Sequence, residues 1–254
     1  MKNIVFLTGA GISQESGLST FRDSNGLWNN YKIDEVATST AYMKDPNKVN
    51  DFYNLRRIEV LKHRPNQAHY LIAQLEDKYN VSVVTTNIDN YHELAGSGNV
   101  LHLHGEILKA RSSNPDLDWM GISHKDEINN PPLYDVGYEG LNEYRDIAQD
   151  GWPLRPHVVL FGETVPNINK AIDIVGKADL LIVVGTSLQV QPACTLIWNL
   201  NKQTPIVVID PNCSELVIIT NNKLSYINNK AIAGVQYLFD NIEQYLIKYE
   251  TTNT

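Results

Sequence analysis

The chain is poor in cysteine: Cys194 and Cys213 are the only two in 254 residues. Two thiols cannot build a disulfide framework, and they suit a reducing cytosol as buried, inert side chains. Long apolar runs are missing too, since none reaches the roughly 20 residues that a membrane-crossing helix needs. The first residues enter a strand at once, without the charged and apolar regions of a secretory signal. These absences predict a cytoplasmic protein with no membrane partner. Positive charge is also in deficit. Lys and Arg number 21 against 29 Asp and Glu, which gives a formal charge of -8, and the pI is about 5.3. General nucleic-acid binding needs a basic face, so no nucleic-acid partner is expected. An acidic surface does leave room for a basic, lysine-bearing protein substrate.

Hydrophobic residues are plentiful at 43%, and the mean hydropathy of -0.27 fits a soluble protein. The length suits one large domain, or a large one carrying a small insert. Short runs rich in β-branched residues recur at 4–7, 81–84, 100–103, 158–161, 180–184 and 206–209, with helical patterns between them. That alternation predicts an α/β fold with a doubly wound, Rossmann-like parallel sheet. The rhythm breaks twice. Residues 29–65 read as helical and polar, with Asp45-Pro46 as a helix start. Residues 109–153 hold Asn114-Pro115, Asn129-Asn130-Pro131-Pro132 and Gly137, with little periodicity. Two interruptions predict a small second domain built from 29–65 and 109–153. The larger domain is then 1–28, 66–108 and 154–254, with a cleft between the two. Trp119, Leu133, Tyr134, Tyr138, Leu141 and Tyr144 are the expected packing residues of the small domain.

The run Ile4–Leu7 leads straight into Thr8-Gly9-Ala10-Gly11-Ile12-Ser13. A buried strand ending in closely spaced glycines lets main-chain N–H groups approach a diphosphate with no Cβ in the way. An ordinary strand-to-helix turn is the plainer alternative, because the common fingerprint wants a third glycine where Gln14 stands. Further polar groups follow the other runs. Arg22 offers a guanidinium fork for phosphate and Phe21 an apolar plate. Asn87 and Asp89 can pair with a carboxamide, although Asx-type turn chemistry also explains them. His102 and His104 alternate along a strand and so face opposite sides, which rules them out as one metal pair. Gly185, Thr186 and Ser187 can take phosphate or ribose, and Asp210 ends a strand where a carboxylate can hold a ribose.

Together these segments resemble the sirtuins, the NAD-dependent protein deacylases. The resemblance is carried by G-A-G-I-S-x-x-S-G-L-S-x-F-R-D-x-x-G-L-W from Gly9 to Trp28 and by Asn87-Ile88-Asp89 with His92. It continues through His104-Gly105, Arg155-Pro156 with Phe161-Gly162-Glu163, and Gly185-Thr186-Ser187-Leu188-Gln189-Val190. It implies NAD as cofactor, with Gly9, Ala10, Gly11, Ile12, Phe21, Arg22, Thr86, Asn87, Ile88, Asp89, Gly185, Thr186, Ser187, Asp210 and Ala231 around it. It implies that Asn87 and Asp89 hold the nicotinamide group and that His104 is the general base. Phe161, Gly162 and Glu163 on one side, and Leu188 and Val190 on the other, would flank an acylated-lysine peptide that adds as a strand. The implied products are nicotinamide, free lysine and O-acyl-ADP-ribose, and the implied form is a monomer.

The chain departs from the family pattern at Thr20, Thr86, His102, Leu160 and Asp210, where Asp, Gln, Glu, Trp and Asn are usual. It also has no cysteine between Gly105 and Pro153, where sirtuins usually place two zinc-binding C-x-x-C pairs. No metal is therefore expected. Tyr53 and Arg56 are spaced to share a helix face, as a carboxylate clamp or as a solvated face. With the small residue Ala37, they resemble the subgroup that removes succinyl, malonyl and glutaryl groups. Two rival classes remain from the sequence: an ADP-ribosyltransferase or NAD hydrolase on the same scaffold, and a non-catalytic NAD-binding module.

Overall fold

The structure is a computed structural model that describes residues 1–19, 27–28, 31–114, 132–142, 146–186, 188, 191–213, 216 and 218–247. Its strands are β1 (Asn3–Thr8), β2 (Leu27–Trp28), β3 (Tyr31–Lys32), β4 (Asn80–Thr85), β5 (Val100–His102), β6 (Gly105–Ser112), β7 (Tyr134–Asp135), β8 (Leu154–Val158), β9 (Leu180–Val184), β10 (Ile206–Ile209) and β11 (Leu224–Ile227). Its helices are α1 (Ala10–Gln14), α2 (Ile33–Val36), α3 (Ser39–Lys44), α4 (Pro46–Lys62), α5 (Gln67–Gln74), α6 (Tyr91–Leu94), α7 (Ile168–Gly176) and α8 (Ala231–Ile247).

Six strands form one parallel sheet in the order β11-β10-β9-β1-β4-β5. The central strands are apolar on both faces because helices cover both. Ile4 and Phe6 of β1 pack with Leu71 and Ile72 of α5 and with Val235 and Leu238 of α8. Val5 and Leu7 point the other way, towards Ala171 and Val175 of α7 and towards Leu196. The chain leaves β1 for β4 and β5 on one side, then returns for β9, β10 and β11 on the other. The order therefore reverses between β1 and β9, where an open sheet leaves a crevice at its strand ends.

Five of the six expected strand runs lie in this sheet. The sixth, 158–161, does not. The strand there is Leu154–Val158, and it pairs antiparallel with β6 in a separate sheet of order β7-β6-β8. Val158 and Leu160 pack instead with Phe52, Tyr53, Tyr91 and Ile107. The remaining parallel strand is β11, an edge strand whose half-exposed Leu-Ser-Tyr-Ile gives little apolar signal.

The helical excursion begins where the residues predict. The Thr38 hydroxyl caps α3 at the Ala41 N–H (3.0 Å), and Asp45 caps α4 at the Lys48 N–H (3.0 Å) with Pro46 in the first turn. Arg57 is fully buried and ties α4 to β6 through the Ile107 carbonyl at 2.8 Å. A smaller apolar cluster joins Ala110, Val136, Leu141, Ala148 and Leu154, with Tyr134 against it. Leu141 and Tyr134 thus pack as expected, but Leu133 and Tyr138 are exposed. Both lie outside the two-residue strand β7, and the Tyr138 hydroxyl donates to the Leu61 carbonyl (3.2 Å). Trp119 and Tyr144 lie outside the described residues. The second sheet is held to the 160–163 turn by a buried ion cluster. Glu163 accepts from Arg155 at 2.9 Å, from Arg111 at 3.4 Å and from the Leu160 N–H at 2.9 Å, and its side chain is fully buried. No helix among the described residues is long and apolar enough to cross a membrane.

Candidate active site

At the reversal point the loops after β1 and β9 are joined by main-chain hydrogen bonds. The Gly9 N–H donates to the Val184 carbonyl (3.1 Å) and the Gly11 N–H to the Gly185 carbonyl (2.9 Å). A Cβ on Gly9 would stand 2.6 Å from the Thr186 Cβ, and one on Gly185 would stand 2.4 Å from the Ile12 nitrogen, at a φ of +61°. Only glycine fits such an approach. Above this junction opens a cavity of about 860 Å³, within the usual range for cofactor sites. Gly9, Ala10, Gly11, Gly185, Thr186 and Leu188 form its floor, and Asp210 and Ala231 line it after β10 and at the start of α8. Thr86, Asn87, Ile88, Asp89 and His104 also line it. A glycine-built cradle with a strand-end carboxylate and a cluster of amide-pairing groups fits an elongated dinucleotide.

Ile12 is split between cradle and core: its main-chain nitrogen stands at the Gly185 junction. Its side chain is fully buried in the core with Ile4 and Phe6, because α1 turns that face away from the cavity. Phe21, Arg22, Ser187 and Val190 lie outside the described residues.

Asn87 and Asp89 stand on the loop after β4 and are both buried. The Asn87 amide donates to the Gly9 carbonyl (3.1 Å) and to the Ser13 hydroxyl (3.2 Å). The Ser13 hydroxyl in turn donates to one Asp89 oxygen (2.9 Å), and the Tyr91 N–H donates to the other (3.1 Å). Burial pushes the Asp89 carboxyl up, while these two donors act against the shift. The Asx-turn alternative is thus also present, in the Asp89–Tyr91 bond, but the loop serves the cavity as well.

His104 follows β5 and is half-buried. Its Nδ1 lies 3.1 Å from the Thr86 carbonyl, which can only accept, so Nδ1 carries the proton and Nε2 keeps its lone pair. Burial lowers its pKa and keeps the ring neutral. His102 faces away from the cavity. Its Nδ1 meets the Asn87 carbonyl (2.8 Å) and its Nε2 meets Glu93 (2.7 Å), so it braces the back of the Asn87 loop. His92 is buried against the Thr8 hydroxyl at 3.0 Å and braces β1. The glycine after His104 is equally determined: Gly105 has a φ of +84°, and a Cβ there would stand 2.0 Å from the His157 carbonyl oxygen.

Tyr53 and Arg56 line the same cavity from α4, and both are buried, at 2% and 5% exposure. That removes the solvated-face alternative. Burial pushes the Tyr53 phenol up and pulls the Arg56 guanidinium down, with Glu59 opposing the latter. Ala37 lines the wall beside them. Its carbonyl accepts from the Phe161 N–H (2.8 Å), and the Phe161 carbonyl accepts from the Ser39 N–H (2.9 Å). Phe161 is half-exposed at the cavity rim beside Gly162. Glu163 also borders the cavity, but its carboxylate is committed to Arg111 and Arg155.

Sequence reasoning missed Ser13 as a functional group, although it stands in the opening motif. Its signal was position: a hydroxyl one helical turn after Gly9, able to reach a second loop.

Comparison with known proteins agrees with this geometry. The sequence pattern of the Sir2 family matches residues 9–192. An NAD-dependent protein deacylase of Bacteroides thetaiotaomicron is 42% identical over 238 residues, covering 94% of this chain and 97% of the relative. One from Helicobacter pylori is 43% identical, covering 94% of each. A solved Sir2 homologue in complex with NAD superposes with a TM-score of 0.78 at 35% identity, covering 96% of this chain and 91% of that one. The cradle between β1 and β9, the buried Asn87 and Asp89, and these matches along nearly the whole chain lead to one conclusion: the chain belongs to the Sir2 family.

Proposed function

We propose that this chain is an NAD-dependent protein-lysine deacylase in which His104 is the general base and Asn87 and Asp89 hold the nicotinamide group. The activity and the cofactor are those of relatives matched along nearly the whole chain. The observation that carries the residue roles is the neutral His104, its Nδ1 proton held by the Thr86 carbonyl, in one cavity with the buried Asn87–Ser13–Asp89 group. Bound NAD supplies an electrophilic ribose carbon and a nicotinamide leaving group. The bare Nε2 of His104 accepts a proton, and the Thr86 carbonyl steadies the charged ring. Asn87 and Asp89, already oriented by Ser13, present an amide and a carboxylate without reorganisation. Burial around them keeps water from intercepting the reaction.

The substrate is an acylated-lysine protein, taken as an added strand beside Phe161 and Gly162. Tyr53, Arg56 and Ala37 favour an acyl group that ends in a carboxylate, such as succinyl or malonyl. Their shared place on the cavity wall supports this, since a buried guanidinium and phenol together suit a carboxylate. We further propose a cytoplasmic monomer without nucleic-acid or membrane partners, whose smaller domain comprises 29–65 and 109–153. The test compares succinyl-lysine and acetyl-lysine on one peptide, for wild type and Arg56→Met. The expected result is a succinyl preference that collapses about ten- to a hundredfold in the variant, the worth of one charge-assisted hydrogen bond. An acetyl preference untouched by the variant would refute the acyl assignment. NAD consumption without either peptide reacting would refute deacylation itself.

A further inference from the structure

Arg56 lines the cavity but does not face it with an unopposed charge. Its Nη1 is in short contact with the Glu59 carboxylate, one helical turn along α4, and donates to the Ser19 hydroxyl at 2.9 Å. Its Nη2 lies 3.4 Å from the Ser19 carbonyl. The second Glu59 oxygen stands 3.4 Å from both the Ser19 N–H and the Ser19 hydroxyl. Glu59 does not line the cavity. A guanidinium buried this deeply needs a counter-charge when no substrate is bound, and Glu59 supplies it from behind.

We propose that Glu59 is a specificity-determining residue: an acidic acyl group must share Arg56 with the Glu59 carboxylate, which sets how strongly the enzyme favours acidic over neutral acyl-lysine. The inference rests on the assignment of Tyr53 and Arg56 to the acyl carboxylate. An incoming acyl carboxylate meets a guanidinium whose charge Glu59 already neutralises. Acetyl carries no charge and does not sense the pair. The restraint is thus specific to acidic acyl groups.

The test measures kcat/KM for succinyl-lysine and acetyl-lysine on one peptide in wild type, Glu59→Gln, Glu59→Asp and Arg56→Met, with thermal melting of each variant. Glu59→Gln keeps the shape and the contact to Ser19 but removes the charge. The succinyl-to-acetyl ratio is expected to rise about tenfold in it, the scale of one charge pair partly screened by water. Glu59→Asp, which retains the charge, is expected to stay within about twofold of wild type, inside the scatter of conservative changes. An unchanged or lower ratio in Glu59→Gln overturns the proposal, and so does an equal rise in both variants, which would place the effect in packing. Arg56→Met separates the two assignments. If it leaves the ratio unchanged, the carboxylate assignment fails and this inference fails with it. If it collapses the ratio while Glu59→Gln does nothing, only the role of Glu59 is lost.

Discussion

Removing the Ser13 hydroxyl is the sharpest test of the idea that Asn87 and Asp89 act as one preorganised group. Ser13 is 2% exposed and accepts from Asn87 while donating to Asp89. In Ser13→Ala the Asn87 amide keeps its bond to the Gly9 carbonyl, and Asp89 keeps the Tyr91 N–H. The variant therefore loses one charge-assisted and one neutral hydrogen bond without stranding either residue. A hydrogen bond to a charged group is worth about 1.5–3 kcal/mol. If that bond orients the loop for reaction, kcat/KM falls about 10- to 100-fold. The assay is NAD-dependent release of nicotinamide and of free lysine peptide, read together with the melting temperature. A loss of stability alone would lower the Tm by about 2–4 °C per kcal/mol in a chain of this size and would leave the rate at 25 °C nearly intact. A variant within twofold of wild-type kcat/KM would refute the view that Ser13 couples Asn87 to Asp89 for catalysis.

Two further outcomes are expected. The proposed base His104 can accept a proton only while neutral, and burial lowers its pKa below 6.5. Activity should therefore persist as the pH falls to that value and decline only below it, so a kcat/KM profile with its acid midpoint at or above about 7 would exclude the assignment. Glu163→Gln removes the anion between two buried guanidiniums, which should cost about 3–5 kcal/mol and lower the Tm by about 10 °C. A calorimetric shift under ~2 °C would show that the cluster is dispensable, since one kcal/mol alone moves Tm that far.

Much of this was legible in the residues because main-chain geometry dictates them. Gly9, Gly11 and Gly185 are read as a cradle because no side chain survives that approach. The alternation of short apolar runs and helices is read as a doubly wound sheet because covered parallel strands need apolar residues on both faces. Side-chain partnerships across the fold were not legible. Nothing local tells that Glu163 ends between Arg111 and Arg155. Residues 158–161 read as a sheet strand because apolar runs carry no label for direction or partner. Their backbone instead serves His104 and Ala37 (Val159 N–H to the His104 carbonyl, 2.9 Å). Leu224–Ile227 was invisible for the opposite reason, as an edge strand with water on one side. Ile12 stands in the motif and keeps its main chain at the cradle, while its side chain joins the core.

The placement of the residues proposed to face the acyl group has a consequence for how such a chain can diversify. His104, Asn87 and Asp89 hang from the ends of the central sheet, whereas Tyr53 and Arg56 ride on α4 and Ala37 on the turn before α3, outside that sheet. On the proposed assignment, a substitution on the helical excursion alters which modification is removed without disturbing the strand ends that carry His104, Asn87 and Asp89. Substrate range and chemistry are separately heritable in this architecture. New specificities can arise by drift along one helix, while the glycine junction between β1 and β9 leaves no space for a side chain at Gly9, Gly11 or Gly185.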